Sequence, residues 1–196
     1  MTHDIAQKTP LGLPKPVTPL KFQRTAIESM SRAVRRLADR KRRQSITLDA
    51  PTGSGKTTMI AELIKAVLAG KTVIFLTPGK GGLGEQSTRA LSRQLLGSGI
   101  RVSPLTDETV NERRTAGQVF VGTYETLVMR HSGSNEYKNR ITRFDGTGEN
   151  KTFWSWLREP GSEVVFIIDE AHYGKGTAKG AIRMFIEDMH DALGYF

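Results

Sequence analysis

The 196 residues suffice for one domain, and 37% hydrophobic residues with 20 glycines mark an ordinary globular chain rather than a disordered or collagen-like one. There is no cysteine, which excludes disulfides, thiolate zinc sites, iron–sulfur clusters and a cysteine nucleophile. No apolar run approaches the roughly 18 residues of a membrane span, and the N-terminus has no apolar signal core, so a cytoplasmic protein is expected. The net charge of +9 is uneven: residues 1–48 hold 11 basic and 3 acidic side chains, whereas residues 162–196 hold 3 basic and 6 acidic. A basic front end fits a polyanionic partner; the alternative is a solvated helical face.

Four of the eight prolines fall in residues 1–19, which reads as an extended arm ahead of a domain covering residues 20–196. Residues 21–39 follow a helical pattern. Phe22, Ala26, Ile27, Met30, Ala33, Val34, Leu37 and Ala38 share one arc, opposite Lys21, Arg24, Glu28, Arg32, Arg35 and Asp39. Strand and helix signals then alternate. SITLDA (45–50) predicts a strand, 57–69 a helix stopped by Gly70, KTVIFLT (71–77) a strand, and 83–96 a helix closed by Gly97. RVSPL (101–105) and QVFVGT (118–123) predict further strands. VVFIID (164–169) is a fully apolar strand, followed by a helix over about 179–192. Apolar strands separated by helices imply a mostly parallel sheet with helices on both faces. Residues 131–150 are polar and predict a loop insertion.

The strongest chemical signal is APTGSGKTT, Ala50 to Thr58, set between a strand and a helix as a phosphate-binding loop requires. Gly53 and Gly55 permit positive φ, so that after Pro51, which starts the loop without an N–H of its own, the backbone N–H groups along Thr52, Gly53, Ser54 and Gly55 can surround phosphate oxygens. The positive end of the following helix adds to the attraction. Lys56 is placed for the β- and γ-phosphates of ATP, the Thr57 hydroxyl for Mg2+, and Thr58 completes the loop.

The second signal is VVFIIDEAH, Val164 to His172, with Asp169 lying 113 residues beyond Lys56. An apolar strand delivers two adjacent carboxylates to the sheet edge where ligands bind. Asp169 suits Mg2+ and Glu170 suits the deprotonation of an attacking water. The bland alternative is a helix-capping pair, which the nearby phosphate loop disfavours.

Together APTGSGKT and DEAH resemble motifs I and II of helicase superfamily 2, and the spacing resembles the motor part of type III restriction enzyme subunits. The resemblance runs from about Leu20 to His172 and implies a RecA-like, α/β, P-loop fold. It implies that Gln23 reads adenine, a role a side-chain amide can serve by donating and accepting. LTPGKGGLGEQ (76–86) is similar to motif Ia and VGTYETL (121–127) to the next nucleic-acid motif. By this resemblance Thr77, Pro78, Gln86 and Thr123 contact nucleic acid, and His172 couples ATP to those contacts. GKGG (79–82) is richer in glycine than motif Ia usually is; it lacks a Ser or Thr after Lys80 and reads as a flexible turn rather than a second phosphate loop.

The resemblance implies an ATP- and Mg2+-dependent helicase or translocase acting on DNA, with RNA as the alternative polymer. Motif III and the second RecA-like lobe, with its arginine finger, are missing from these residues; that lobe is expected in the same parent chain or in another subunit. In the family the motif III strand lies between those carrying motifs I and II, so SITLDA and VVFIID are expected to need direct pairing, another segment or a partner to close the sheet. Two rivals stand beside the motor: an ATP-binding module without hydrolysis, and a small-molecule P-loop kinase, in which Gln23 and DEAH would have no role.

Overall fold

The computed structural model describes residues 18–38, 46–106, 117–125 and 163–170, together with 180 and 187. The arm over residues 1–17, the loop over 131–150 and His172 lie outside the described residues. Four strands make one all-parallel sheet: β1 (Thr72–Thr77), β2 (Arg101–Pro104), β3 (Gln118–Thr123) and β4 (Val164–Ile168), in the spatial order β2-β3-β1-β4. Each strand falls on a predicted strand; β1, β3 and β4 are the apolar runs expected where a parallel sheet is covered on both faces, while β2 (RVSP) is a mostly polar edge strand. The chain has the α/β, RecA-like fold.

Among the described residues three helices accompany the sheet: α1 (Lys21–Ala38), α2 (Lys56–Leu63), prolonged by a π-helical stretch Ile64–Leu68, and α3 (Leu83–Gln94). The core lies where Ile60, Ile64 and Leu68 of the α2 segment and Leu91 and Leu95 of the α3 segment meet Val73, Phe75, Val119 and Val121. Alternate residues of the same strands, Ile74, Leu76 and Phe120, point to the opposite face and are also buried. Glycine works at one tight seam. A Cβ on Gly122 would stand 3.2 Å from the Leu105 side chain, a tight approach, so glycine there lets β3 and the segment after β2 pack closely without displacing Leu105.

The α1 helix packs on α2 through Met30, Met59 and Leu63, with Ala26, Ile27, Val34, Leu48 and Ala50 around them. Its inward line runs through buried Gln23 and Met30 and half-buried Ile27 and Val34. Phe22, one residue and about 100° off that line, is 53% exposed despite its place on the apolar arc. The opposite face is as expected: Lys21, Arg24, Glu28, Arg32 and Arg35 are all exposed, as is Arg36 beside it.

One predicted element is corrected. Ile46–Ala50 leads into the phosphate loop but joins no ladder among the described residues, so the expected strand at 45–50 is not formed there. The physical reason is that a strand needs a neighbour. Among the described residues β4 pairs with β1 alone, and no strand is paired with Ile46–Ala50. Leu48 and Ala50 are held instead by packing against the α1–α2 cluster.

Candidate functional site

The site forms where the C-terminal ends of β3, β1 and β4 face the start of α2. The loop ahead of α2 turns twice through left-handed backbone, at Gly53 (φ 78°) and Gly55 (φ 81°), the region that favours glycine. The Ser54 N–H donates to the Pro51 carbonyl at 3.2 Å, tightening the turn. Gly55 caps α2 with no side-chain hydrogen bond, so the first-turn N–H groups of Lys56, Thr57 and Thr58 receive no side-chain cap. The Ser54 hydroxyl is buried and has no hydrogen-bond partner among the described residues. Uncapped helix donors and an orphaned hydroxyl in a glycine turn are a ready anion site, and they fit the phosphates of a nucleotide.

Gln23 is 7% exposed and reaches this loop from α1. Its Nε2 donates to the Ser54 carbonyl at 2.8 Å, and its Oε1 accepts from the Leu20 N–H at 2.7 Å. The side chain thus ties the start of α1 to the phosphate loop across 31 residues. A Cβ on Gly55 would overlap the Gln23 amide nitrogen, so the approach depends on glycine there as well. The amide keeps a second lone pair and a second N–H for a base edge. Pro51, Thr52 and Gly53 are exposed, while Ser54, Gly55, Lys56 and Thr57 are half-buried. Thr58 turns away from the loop: it is buried, and its hydroxyl accepts from Gln94 of α3 at 3.4 Å.

Motifs 114 residues apart meet across this mouth. Lys56 Nζ stands 3.1 Å from Glu170 Oε1, both side chains about a quarter exposed. Asp169 continues the ladder by donating its N–H to the Leu76 carbonyl at 2.8 Å, and its Oδ1 accepts the Glu170 N–H at 3.0 Å. Glu170 has φ 50°, the one non-glycine residue among those described with positive φ. Such backbone costs of order 1–3 kcal/mol and concentrates where a site must aim a side chain. Thr57 and Asp169 supply the hard oxygen donors that Mg2+ prefers.

The residues expected to touch nucleic acid lie beside this centre. Thr77 and Thr123 are register partners at the ends of β1 and β3; Thr77 and Pro78 are buried, Thr123 is half-buried and Gln86 is exposed on α3. The GKGG segment is a short 3-10 turn (Lys80–Gly82) with Gly81 at φ 65° and Gly82 at φ 71°, a turn rather than a second phosphate loop. Two residues stand out here that the sequence had not singled out. The Glu125 carboxylate accepts the Gly79 N–H at 2.8 Å, tying the loop after β1 to the end of β3. Tyr124 is 3% exposed with an unpartnered hydroxyl; burial first, then the charges of Asp169, Glu170 and Glu125, hold its phenol well above the ordinary tyrosine range. Both lie in VGTYETL, but the Gly79 N–H that Glu125 holds and the Asp169 and Glu170 charges that act on Tyr124 come from more than 40 residues away in the chain, and no local pattern records them.

A glycine turn opening a helix at the C-terminal edge of a parallel sheet, with an Asp-Glu pair on a neighbouring strand end, defines a P-loop α/β domain. Over residues 17–192 the chain matches the family described as type III restriction enzyme, res subunit, and it belongs to that family, one built on a helicase superfamily 2 motor domain. At family level it is a helicase-like, ATP-dependent motor module. No curated protein and no solved structure matches the chain. No helix among the described residues is long and apolar enough to cross a membrane.

Proposed function

We propose that this chain is the first RecA-like lobe of a DNA translocase or helicase of the type III restriction kind, binding and hydrolysing ATP with Mg2+. The observation that carries the reading is the Lys56–Glu170 contact, which brings the phosphate loop and the acidic pair into one centre. In this reading Gly53, Ser54 and Gly55 cradle the phosphates with backbone N–H groups, and Lys56 leaves Glu170 to neutralise the β- and γ-oxygens. Thr57 and Asp169 hold Mg2+, which when bound offsets phosphate charge. Glu170, released from Lys56, orients the attacking water and accepts its proton. Gln23, already buried against the loop, offers its remaining amide donor and acceptor to adenine.

The nucleic-acid contacts are assigned to Thr77, Pro78, Gln86 and Thr123, with His172 as the coupling residue. The exposed basic face of α1 adds affinity for the phosphate backbone. A second RecA-like lobe supplies the arginine that completes the transition-state clamp, a contribution of about 10³–10⁵ in rate. The test is ATP turnover with and without duplex DNA, with a second lobe supplied. Turnover that rises with DNA supports the motor; nucleotide binding with no turnover in either condition supports the inert binding module instead.

A further inference from the structure

Tyr124 occupies a position the phosphate-loop and acidic motifs do not account for. Thr123 is level with Thr77 on β1, and Ile168 is level with Leu76, so Asp169 stands level with both threonines. Tyr124 follows the end of β3 directly and opens a helical turn, and Glu170 follows Asp169 in a left-handed turn beyond β4, so both leave the sheet at the ends of the two strands flanking β1. Neighbouring strands lie about 4.8 Å apart, so β3 and β4 are roughly 10 Å apart across β1, a gap a tyrosine side chain largely spans. The phenol is buried to 3% exposure, its hydroxyl has no hydrogen-bond partner among the described residues, and the charges of Asp169 and Glu170 reach it. A buried hydroxyl left unpaired beside carboxylates is a donor without its acceptor, and it calls for an explanation. Its neighbours in sequence are fastened to the other side of the site: Thr123 lies against Gly84, where a Cβ would come within 3.3 Å of the Thr123 methyl, and Glu125 holds Gly79.

We propose that Tyr124 is a positioning residue for the acidic pair, its hydroxyl donating to the Glu170 carboxylate once Lys56 has moved from Glu170 to the nucleotide phosphates. The inference rests on the ATP-binding reading above and adds a residue to it. The nucleotide-free chain keeps Glu170 on Lys56; in the nucleotide-bound chain the Tyr124 hydroxyl takes the place of Lys56 on the carboxylate, so the buried hydroxyl gains its acceptor. Because β3 also ends in Thr123, the exchange links the state of the ATP site to the strand assigned to nucleic acid.

Calorimetric titration of MgATP into the full chain tests this with Tyr124→Phe, Glu170→Ala and the double variant. Tyr124→Phe should weaken MgATP binding about tenfold, the size of one hydrogen bond to a charged group. The nucleotide-free unfolding midpoint should stay equal or rise, because the hydroxyl that is removed has no partner there. In the Glu170→Ala background the same substitution should change affinity less than about twofold, since the acceptor is gone. Unchanged affinity in Tyr124→Phe, an equal loss in both backgrounds, or a lowered nucleotide-free midpoint would each overturn the proposal. A parent chain that does not bind MgATP would instead overturn the phosphate-loop reading beneath it.

Discussion

The centre of the sheet and its β4 edge are built differently. In β1 every residue is buried, and in β3 all but the last are, with ladders on both sides of each strand. In β4 every residue is only half-buried, with one ladder, to β1, among the described residues. Of the residues assigned to nucleic acid, Thr77 and Thr123 end the firm central strands, whereas the acidic pair follows the half-buried strand, at a backbone turn strained at Glu170. Groups that must change partners during a cycle belong on the less constrained element, and groups that must hold a track belong on the more constrained one. The phosphate loop lies between these extremes, fastened to α1 by Gln23 but leaving Ser54 Oγ unpaired.

The comparison breaks most directly at Glu170. Replacing Glu170 by Gln keeps the shape but removes the base, so turnover of the motor with its second lobe should fall about 10²- to 10⁴-fold. MgATP affinity should not fall, because Lys56 is no longer held by a charge. Rapid-quench assays against equilibrium titrations separate the two, and parallel losses in both would mean that Glu170 binds rather than reacts.

Gly55→Ala probes the fastening of the loop. The residue has left-handed φ and the new methyl meets the Gln23 amide, so stability should drop by about 1–2 kcal/mol in denaturant titrations. Gly53→Ala shares the φ penalty but meets nothing within 4 Å, so it should cost less. Equal costs at the two positions would show that the Gln23 contact does not restrain the loop.

The smallest expected effect lies on α1. Neutralising Arg24, Arg32 and Arg35 should reduce the slope of log affinity for DNA against log salt by up to about 3, roughly one for each phosphate no longer neutralised. An unchanged slope would make this face merely solvated.

Much of this architecture was legible in the sequence because the signals were local. Three of the four ladder strands are apolar runs, α1 carries a helical period, and the phosphate loop is written as consecutive residues. What was not legible depends on partners distant in the chain. The SITLDA run has strand composition, yet a ladder also needs an adjacent strand, which composition cannot supply. Phe22 lies on the apolar arc but Gln23 takes the buried line, because the Ser54 carbonyl offers its amide a polar partner there. Tyr124 and Glu125 matter through Glu170 and Gly79, groups brought near them only once three strand ends are level.

The central claim is that Pro51–Thr58 binds nucleotide phosphate with Lys56 as its cation. Titration calorimetry of MgATP and of adenosine into the parent chain and Lys56→Ala tests it most directly. The account predicts that the variant binds MgATP about 10- to 100-fold more weakly, the loss of one or two charge-assisted hydrogen bonds, while adenosine affinity is nearly unchanged. Equal MgATP affinity in the two proteins would contradict it.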